Sequence, residues 1–338
     1  MSPIALSSSE TLAADTPSPH GERHRRAALR RLLHDKVAIG SVIVFALIVI
    51  ACLCAPLYAK YVAGTGPNDN HVTEVIRVGG KPTDVVSTSG IPIGPTWQSK
   101  FLLGADSNGR DVAVRLLYGG RTSLMIGFLA AAITLTFGTL TGILAGFFRG
   151  WTDTVLSRAL DVIWAYPVVL LGIALGTALE LGGLKLGPLV ISGNSLFVPA
   201  LIIGFVFIPY LARPIRTQVL LLREREFVAA ARLLGKGSMS IIVSEVLPNV
   251  TSAVVVFVPL IVANAILLEA GLSYLGAGVQ APNPSWGTMI ASGVALITST
   301  PSLLFAPVIM LVATTVSMNL FGESLRNAIG TTTSMAGR

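Results

Sequence analysis

"EFVAAARLLGKGSMSIIVSEVLPN", Glu226 to Asn249, lies between two stretches so apolar that they belong in a membrane or a deep core. Its first half is short, alanine-rich and edged with charge. Phe227, Ala230, Ala231 and Leu234 recur at i, i+3, i+4 and i+7, the spacing of one helical face. Alanine at the centre keeps that face shallow, so another protein can approach it closely. Leu, Trp and Phe would instead dominate the buried face of a helix lying on lipid. Gly235 supplies a left-handed C-cap, Ser238 is placed to cap the next helix, and Pro248 marks the start of another apolar run, where a missing amide matters least. The stretch predicts a short docking helix over 224–235.

The surroundings define what it is attached to. Of 338 residues, 52% are hydrophobic and only 12% charged, about half the charge of an ordinary soluble domain. The apolar excess sits in long uncharged runs: Val37–Ala59, Thr122–Phe148, the window between Asp161 and Glu180, Leu196–Ala212, Val250–Leu268 and Leu303–Leu320. Each approaches or exceeds the ~20 residues a helix needs to cross the hydrocarbon. The expected fold is an all-α polytopic membrane protein with six transmembrane helices. The net charge of +7 fits basic flanks beside spans better than a nucleic-acid surface. Placing the N-terminus inside puts sixteen of the 24 Lys and Arg residues in the cytoplasm, so both termini and Glu226–Asn249 are expected there.

The tail over 1–22 is small, polar and proline-containing, and reads as disordered. It lacks the apolar core of a signal peptide. Cys52 and Cys54 both fall in the first apolar run, so neither a disulfide framework nor a metal site is expected. His71 alone makes no metal site either. Gly138, Gly142, Gly146 and Gly150 recur every fourth residue, and Gly172 pairs with Gly176; such small-residue faces let helices touch. Asp161, Glu180 and Glu269 read as polar edges near helix ends. Between the first span and Leu103 a long segment holds Thr73–Val78 and Lys81–Val86 around Gly79-Gly80, a hairpin signal, with Pro82 making the second strand an edge. The uncharged run from Ala270 to Gly322 is too long for one crossing. Pro282, Pro284 and Gly287 break it, which predicts a protein-packed segment at the outer mouth. Tyr274, Gln280, Pro284 and Trp286 are its candidate gate residues, with Trp286 at a boundary apolar on one side and wet on the other.

Four blocks carry a resemblance. "EFVAAARLLG" followed by "VLPN" looks like the EAA motif of ABC importer membrane subunits, with Glu226, Ala230, Ala231, Gly235, Leu247 and Pro248 in the motif's places. Leu103–Leu124, Glu269–Met289 and Asn319–Ile329 resemble further blocks of the dipeptide/oligopeptide/nickel permease family, of the DppC or OppC type. The likeness covers about residues 29–329. Phe227 stands where Tyr is common, Glu245 where a His often precedes Leu-Pro, and Val114 where Ser is usual. The customary Asp-Pro ending is absent, and the tail after Ile329 is expected to fray.

The resemblance implies a type I importer permease fold and a division of the chain. Residues 1–36 and 323–338 would be cytoplasmic tails, 37–59 the first span, 60–121 an extracytoplasmic segment and 122–322 the transmembrane core. It further implies a second homologous permease subunit, two ABC ATPase subunits (or one two-domain ATPase) and an extracytoplasmic solute-binding protein, in a bacterial plasma membrane. No phosphate-cradling Gly-Lys loop is present here, so ATP and Mg would be bound by the ATPases. The chain itself would be neither an enzyme nor cofactor-dependent. The alternative, an ion-coupled secondary carrier, would show ionisable residues near the midplane of broken helices, which the sequence does not display.

Overall fold

The computed structural model describes residues 30–186 and 189–335. The tail expected to be disordered over 1–22 lies outside them, as do Arg23, Arg25 and Arg26.

Helix α1, Lys36–Leu53, starts where the Asp35 carboxylate accepts the Val37 amide at 2.9 Å. A helical turn, Ala55–Tyr58, and a wider one, Ala59–Ala63, continue it. Helix α2, Val112–Phe148, is 37 residues long, about 55 Å at ~1.5 Å per residue, so it overshoots a ~30 Å hydrocarbon layer. It begins ten residues before the uncharged window because Asp111 caps it, accepting from the amides of Ala113 and Val114. The early Arg115 is tolerated because its guanidinium reaches Pro67 O at 2.8 Å and Asn68 at 3.1 Å.

The window between Asp161 and Glu180 is not one helix. Helix α3, Gly150–Trp164, and helix α4, Val168–Gly182, meet at 88° across residues 165–167. Pro167 has no N–H and its ring disfavours helical backbone at Tyr166, so the chain turns there. A small hairpin, β-paired over Leu184–Leu186 and Leu189–Ile191, follows. Helices α5, Phe197–Val206, and α6, Ile208–Arg223, run on as one apolar span. Then come α7, Glu226–Leu233, the long α8, Leu247–Tyr274, the short α9, Trp286–Val294, and α10, Ser302–Met335. The last helix therefore continues beyond Ile329, where fraying was expected. Among the described residues five helical stretches are long and apolar enough to cross a membrane, and the number is six if the bent α3–α4 pair is one span.

The glycine face predicted on α2 is real and has one partner. A Cβ at Gly138, Gly142 or Gly146 would come within 3.0 Å of Leu211, 2.7 Å of Ala212 O or 2.8 Å of Arg216 O. Rising numbers on α2 meet rising numbers on α6, so the two helices run parallel. Gly150 faces open space and takes no part. Gly172 and Gly176 abut Leu272 and Ala277, fitting α4 against the end of α8.

Between the first two spans lies a folded unit. Val75–Val78 pairs with Lys81–Asp84 in antiparallel register, and Gly79 and Gly80 take φ of 58° and 83°, the values of a two-residue primed turn. Pro82 faces Arg77 in this register, the pair next to the turn-flanking one. There the missing amide points away from the ladder. Val85, Phe101 and Ala105 form a small core beneath the hairpin, and the Phe101 amide donates to Asp111 at 2.6 Å. Burial pushes the Asp111 carboxyl up, while the amides of Phe101, Val114 and Ala113 pull against it.

Candidate functional site

The bundle has two contrasting ends. At one end, α7 is held beneath the last turn of α2, with the guanidiniums of Arg232 and Arg223 5.8 and 6.0 Å from the Phe147 ring. Glu226 stands in the first turn, where an acid suits the helix dipole. The Gly235 amide donates to Arg232 O and the Lys236 amide to Ala231 O, the paired bonds of a Schellman cap. Gly235 takes φ +75°, as the left-handed cap requires. Ser238 caps nothing. Gly237 is the N-cap of the next turn, Ser238–Ile241, and no side chain bonds to it.

The predicted face is rotated. Val228 and Ala231 are buried with Ile241, Ile242 and Val246 in the core, whereas Phe227, Ala230, Leu233 and Leu234 are exposed. Ala231 thus packs inward, because a helix this short is secured by its own i, i+3 pair, and Leu233 takes its place on the outer stripe. Leu233 and Leu234 are 90% and 80% exposed. Glu226, Gly235, Leu247 and Pro248 are exposed at the same end. Pro248 follows a widened turn, Ile242–Val246. Glu245 pairs with Lys236 at 2.8 Å, closing the loop from α7 to α8.

At the other end, polar groups are enclosed. Glu269 is fully buried in α8, and its Oε1 accepts from Ser273 Oγ at 2.7 Å. The Ser273 hydroxyl also receives the Val279 amide at 2.9 Å. Ser285 and Thr288 form a capping box that starts α9. Trp286 is 0% exposed. Its Nε1 donates to Leu116 O and its backbone amide to Ser123 Oγ, each at 3.2 Å. Its ring lies against Gly120, and Gly287 lies against Ala270 and Ser273. The segment is protein-packed as expected, but the boundary position expected for Trp286 is wrong: the α2 glycines leave room for the indole to enter the core. Pro284 is buried beside it, whereas Tyr274 is exposed and Gln280 partly so, its Nε2 on Gly276 O. The four candidate gate residues do not share one surface.

Sequence reasoning missed two features. Glu269 sits five residues before the end of α8, inside rather than at its edge; the hydroxyls at Ser273 and Ser285 were the available signal. A ladder of ion pairs also joins α3 to α6: Arg149–Glu224 at 2.6 Å, Asp153–Arg216 at 2.5 Å and Asp161–Arg213 at 2.9 Å. Only the breaks they make in the uncharged windows announced them. His71 bridges Glu74 and Thr65 within the folded unit. Among the described residues no group of three His, Cys, Asp or Glu could hold a metal ion.

Comparison with known proteins follows this geometry. Residues 138–332 match the model of the binding-protein-dependent transport system inner membrane component, and residues 25–71 that of the N-terminal transmembrane domain of oligopeptide transport permease C. The chain is 33% identical over 305 residues to the dipeptide transport system permease protein DppC of Alkalihalophilus pseudofirmus, covering 90% of this chain and 88% of that one. It is 32% identical over 302 residues to the oligopeptide transport system permease protein OppC of Haemophilus influenzae, covering 89% and 86%. Among solved structures, the inward-facing MetNI methionine ABC transporter aligns with a TM-score of 0.51 at 16% identity, over 64% of this chain and 96% of that one.

Proposed function

The chain belongs to the inner membrane components of binding-protein-dependent transport systems, and from that premise we propose that it carries peptides across the membrane with Glu226–Gly235 as its ATPase-docking helix. It is a multi-pass permease subunit of an ABC importer and not an enzyme, and the family works with a partner permease, an ATPase and a binding protein. The carrier alternative has no support from these relatives. Peptide as cargo rests on the dipeptide, oligopeptide and di/tripeptide systems named for its relatives.

The observation that carries the docking assignment is the exposed stripe Phe227, Ala230, Leu233 and Leu234 on a helix that is itself fixed by Val228, Ala231 and the Gly235 cap. Such a helix can transmit a push without deforming. ATP and Mg on two ATPase subunits, or one two-domain ATPase, would drive it. The ends marked by Lys36, Arg149, Gly235 and Ser324 would face the cytoplasm, and the folded unit within 60–121 would face outside as a lip for the binding protein. Cysteines at Ser87 and Ser238 test this orientation: an impermeant thiol reagent labels the first from outside and the second only from inside, and the reverse pattern sinks it. Co-purification of the ATPases, followed by ATP-dependent peptide uptake in vesicles, tests the function. Failure of both, with the chain present in the membrane at wild-type amounts, would remove the reading.

A further inference from the structure

Three guanidiniums converge where α2, α6 and α7 meet. Arg223 ends α6, and Arg232 stands in the last turn of α7. Both lie over the ring of Phe147, a buried residue at the end of α2, at 6.0 and 5.8 Å. Arg149 follows directly after α2. Arg149 and Arg232 repel the Arg223 charge, and Glu224 attracts it. Glu224, however, is already engaged by Arg149 at 2.6 Å. Neither Arg223 nor Arg232 forms an ion pair among the described residues, and Arg223 Nη1 is enclosed without a hydrogen-bond partner.

Such a cluster is unfavourable for the chain on its own. Like charges gathered over one apolar ring repel, and an enclosed donor without an acceptor carries a desolvation cost. Phe147 and Arg223 Nη1 are enclosed by this chain alone, so a neighbouring subunit can add to their burial and cannot remove it. The pose of Arg232 is informative too. A long cationic side chain beside an apolar stripe on a lipid surface extends its charge away from that stripe. Arg232 instead turns back onto Phe147, one position before the exposed Leu233. Arginines are enriched where protein interfaces concentrate their binding energy. A planar fork held against a ring also loses little freedom when it meets a carboxylate.

We propose that Arg232, backed by Arg223, receives an acidic side chain of the ATPase that docks on α7. The proposal rests on the ATPase-docking reading of that helix and adds the chemistry of the contact, an Asp or Glu carboxylate seated beside the apolar stripe. The carboxylate accepts from the donors of Arg232 and supplies the negative charge that Glu224, held by Arg149, cannot. Arg223 acts from behind. With Nη1 enclosed, it adds its field to the site and holds Phe147 in place. The repulsion is present before docking and is neutralised by it, so the stripe contributes affinity and the charge pair contributes register.

The test measures the ATPase and the partner permease recovered with the tagged subunit in phosphatidylcholine nanodiscs, at about 50 to 300 mM salt. Wild-type recovery of the ATPase should fall as salt rises. Arg232→Gln should lower it about tenfold at low salt, the size of one lost charge-assisted bond, and should flatten the salt response. Arg232→Lys should keep part of the recovery, because it retains the charge without the fork. Both variants should retain the partner permease at wild-type amounts. The melt of the isolated Arg232→Gln subunit should not drop, since repulsion is removed, whereas a purely structural role would lower it. Arg158→Gln takes one positive charge from α3, outside the cluster, and should change none of these readings. Wild-type ATPase recovery and salt response in Arg232→Gln overturn the proposal. Loss of the partner permease along with the ATPase overturns it as well, by assigning the acid to that subunit. So does wild-type recovery that requires added phosphatidylglycerol, which assigns the cluster to a lipid headgroup. The wild-type salt titration needs no variant, so a complex indifferent to salt overturns the proposal even if the variants do not assemble. A wild-type subunit that recovers no ATPase at any salt overturns the docking reading and the proposal with it.

Discussion

The end that carries α7 leaves apolar side chains in the open, and the far end puts polar ones in the dark. Leu233 and Leu234 stand almost fully exposed on a helix secured by two buried residues. Glu269, Ser273, Ser285 and Trp286 are closed in by α2, α8 and α9 of the same chain. Exposed leucines gain nothing for the isolated chain, since apolar area contributes only when removed from water. Buried hydroxyls and a carboxyl contribute only when each has its partner in place. On the proposed function one end would be finished by another protein, whereas the other is closed in by its own chain, with only Glu269 Oε2 left without a hydrogen-bond partner among the carboxyl and hydroxyl atoms of Glu269, Ser273 and Ser285. Substitutions at the two ends should separate stability from coupling.

The largest effect on stability belongs to the enclosed end. Trp286→Ala should destabilise the chain by about 3–5 kcal/mol, the range for emptying an aromatic site in a core. It also leaves Leu116 O without the indole N–H. A thermal melt of the purified subunit in detergent measures this. A shift no larger than that of an exposed substitution would show that the far end is loosely packed, and the contrast between the ends would fail.

Much of this was legible in advance. Uncharged windows located the spans, because a run of apolar residues without charge has few other homes. The turn at Gly79-Gly80 and the cap at Gly235 were legible because each needs a backbone conformation that glycine adopts freely. What escaped depended on which neighbour a residue meets. Ala231 and Ala230 are chemically identical, and only the core beneath α7 decides that the first turns inward. Trp286 has an amphipathic side chain that suits a boundary, yet Gly120 leaves a space on α2 that admits it to the core. Asp161 and Arg213 lie 52 positions apart, so neither window edge could reveal the other. The break at Tyr166 and Pro167 was local and readable, but the apolar window masked it.

An intermediate effect is expected at Gly235. With φ at +75° and nothing within 4 Å of a built Cβ, Gly235→Val costs only backbone strain, about 1–3 kcal/mol. No clash accompanies it. That strain falls on the cap that aims α7, so ATP-driven uptake should fall well below wild type while the protein stays in the membrane. Uptake and membrane content, measured on the same vesicles, check it. Gly235→Asn should retain more uptake than the valine variant, because asparagine tolerates the left-handed region. Equal uptake for all three proteins would mean that the cap does not set the angle of the docking helix.

The smallest change in stability should accompany Leu234→Asp. The side chain is 80% exposed, and substitutions at such positions normally fall within about 0.5 kcal/mol. The melt of the isolated subunit should therefore be unchanged. Binding should respond differently, since an apolar anchor at the centre of an interface carries far more energy than its neighbours, and an unpaired carboxylate introduced there must be desolvated. ATPase recovered with the tagged subunit should fall at least tenfold, and more than with Leu234→Ala, which shortens the anchor without adding charge. Val228→Asp provides the opposite control. Val228 is fully buried, so its replacement should lower the melt as well as the ATPase recovered. If Leu234→Asp keeps its ATPase, the exposed stripe is not the contact, and the open end of the bundle is finished by something other than an ATPase.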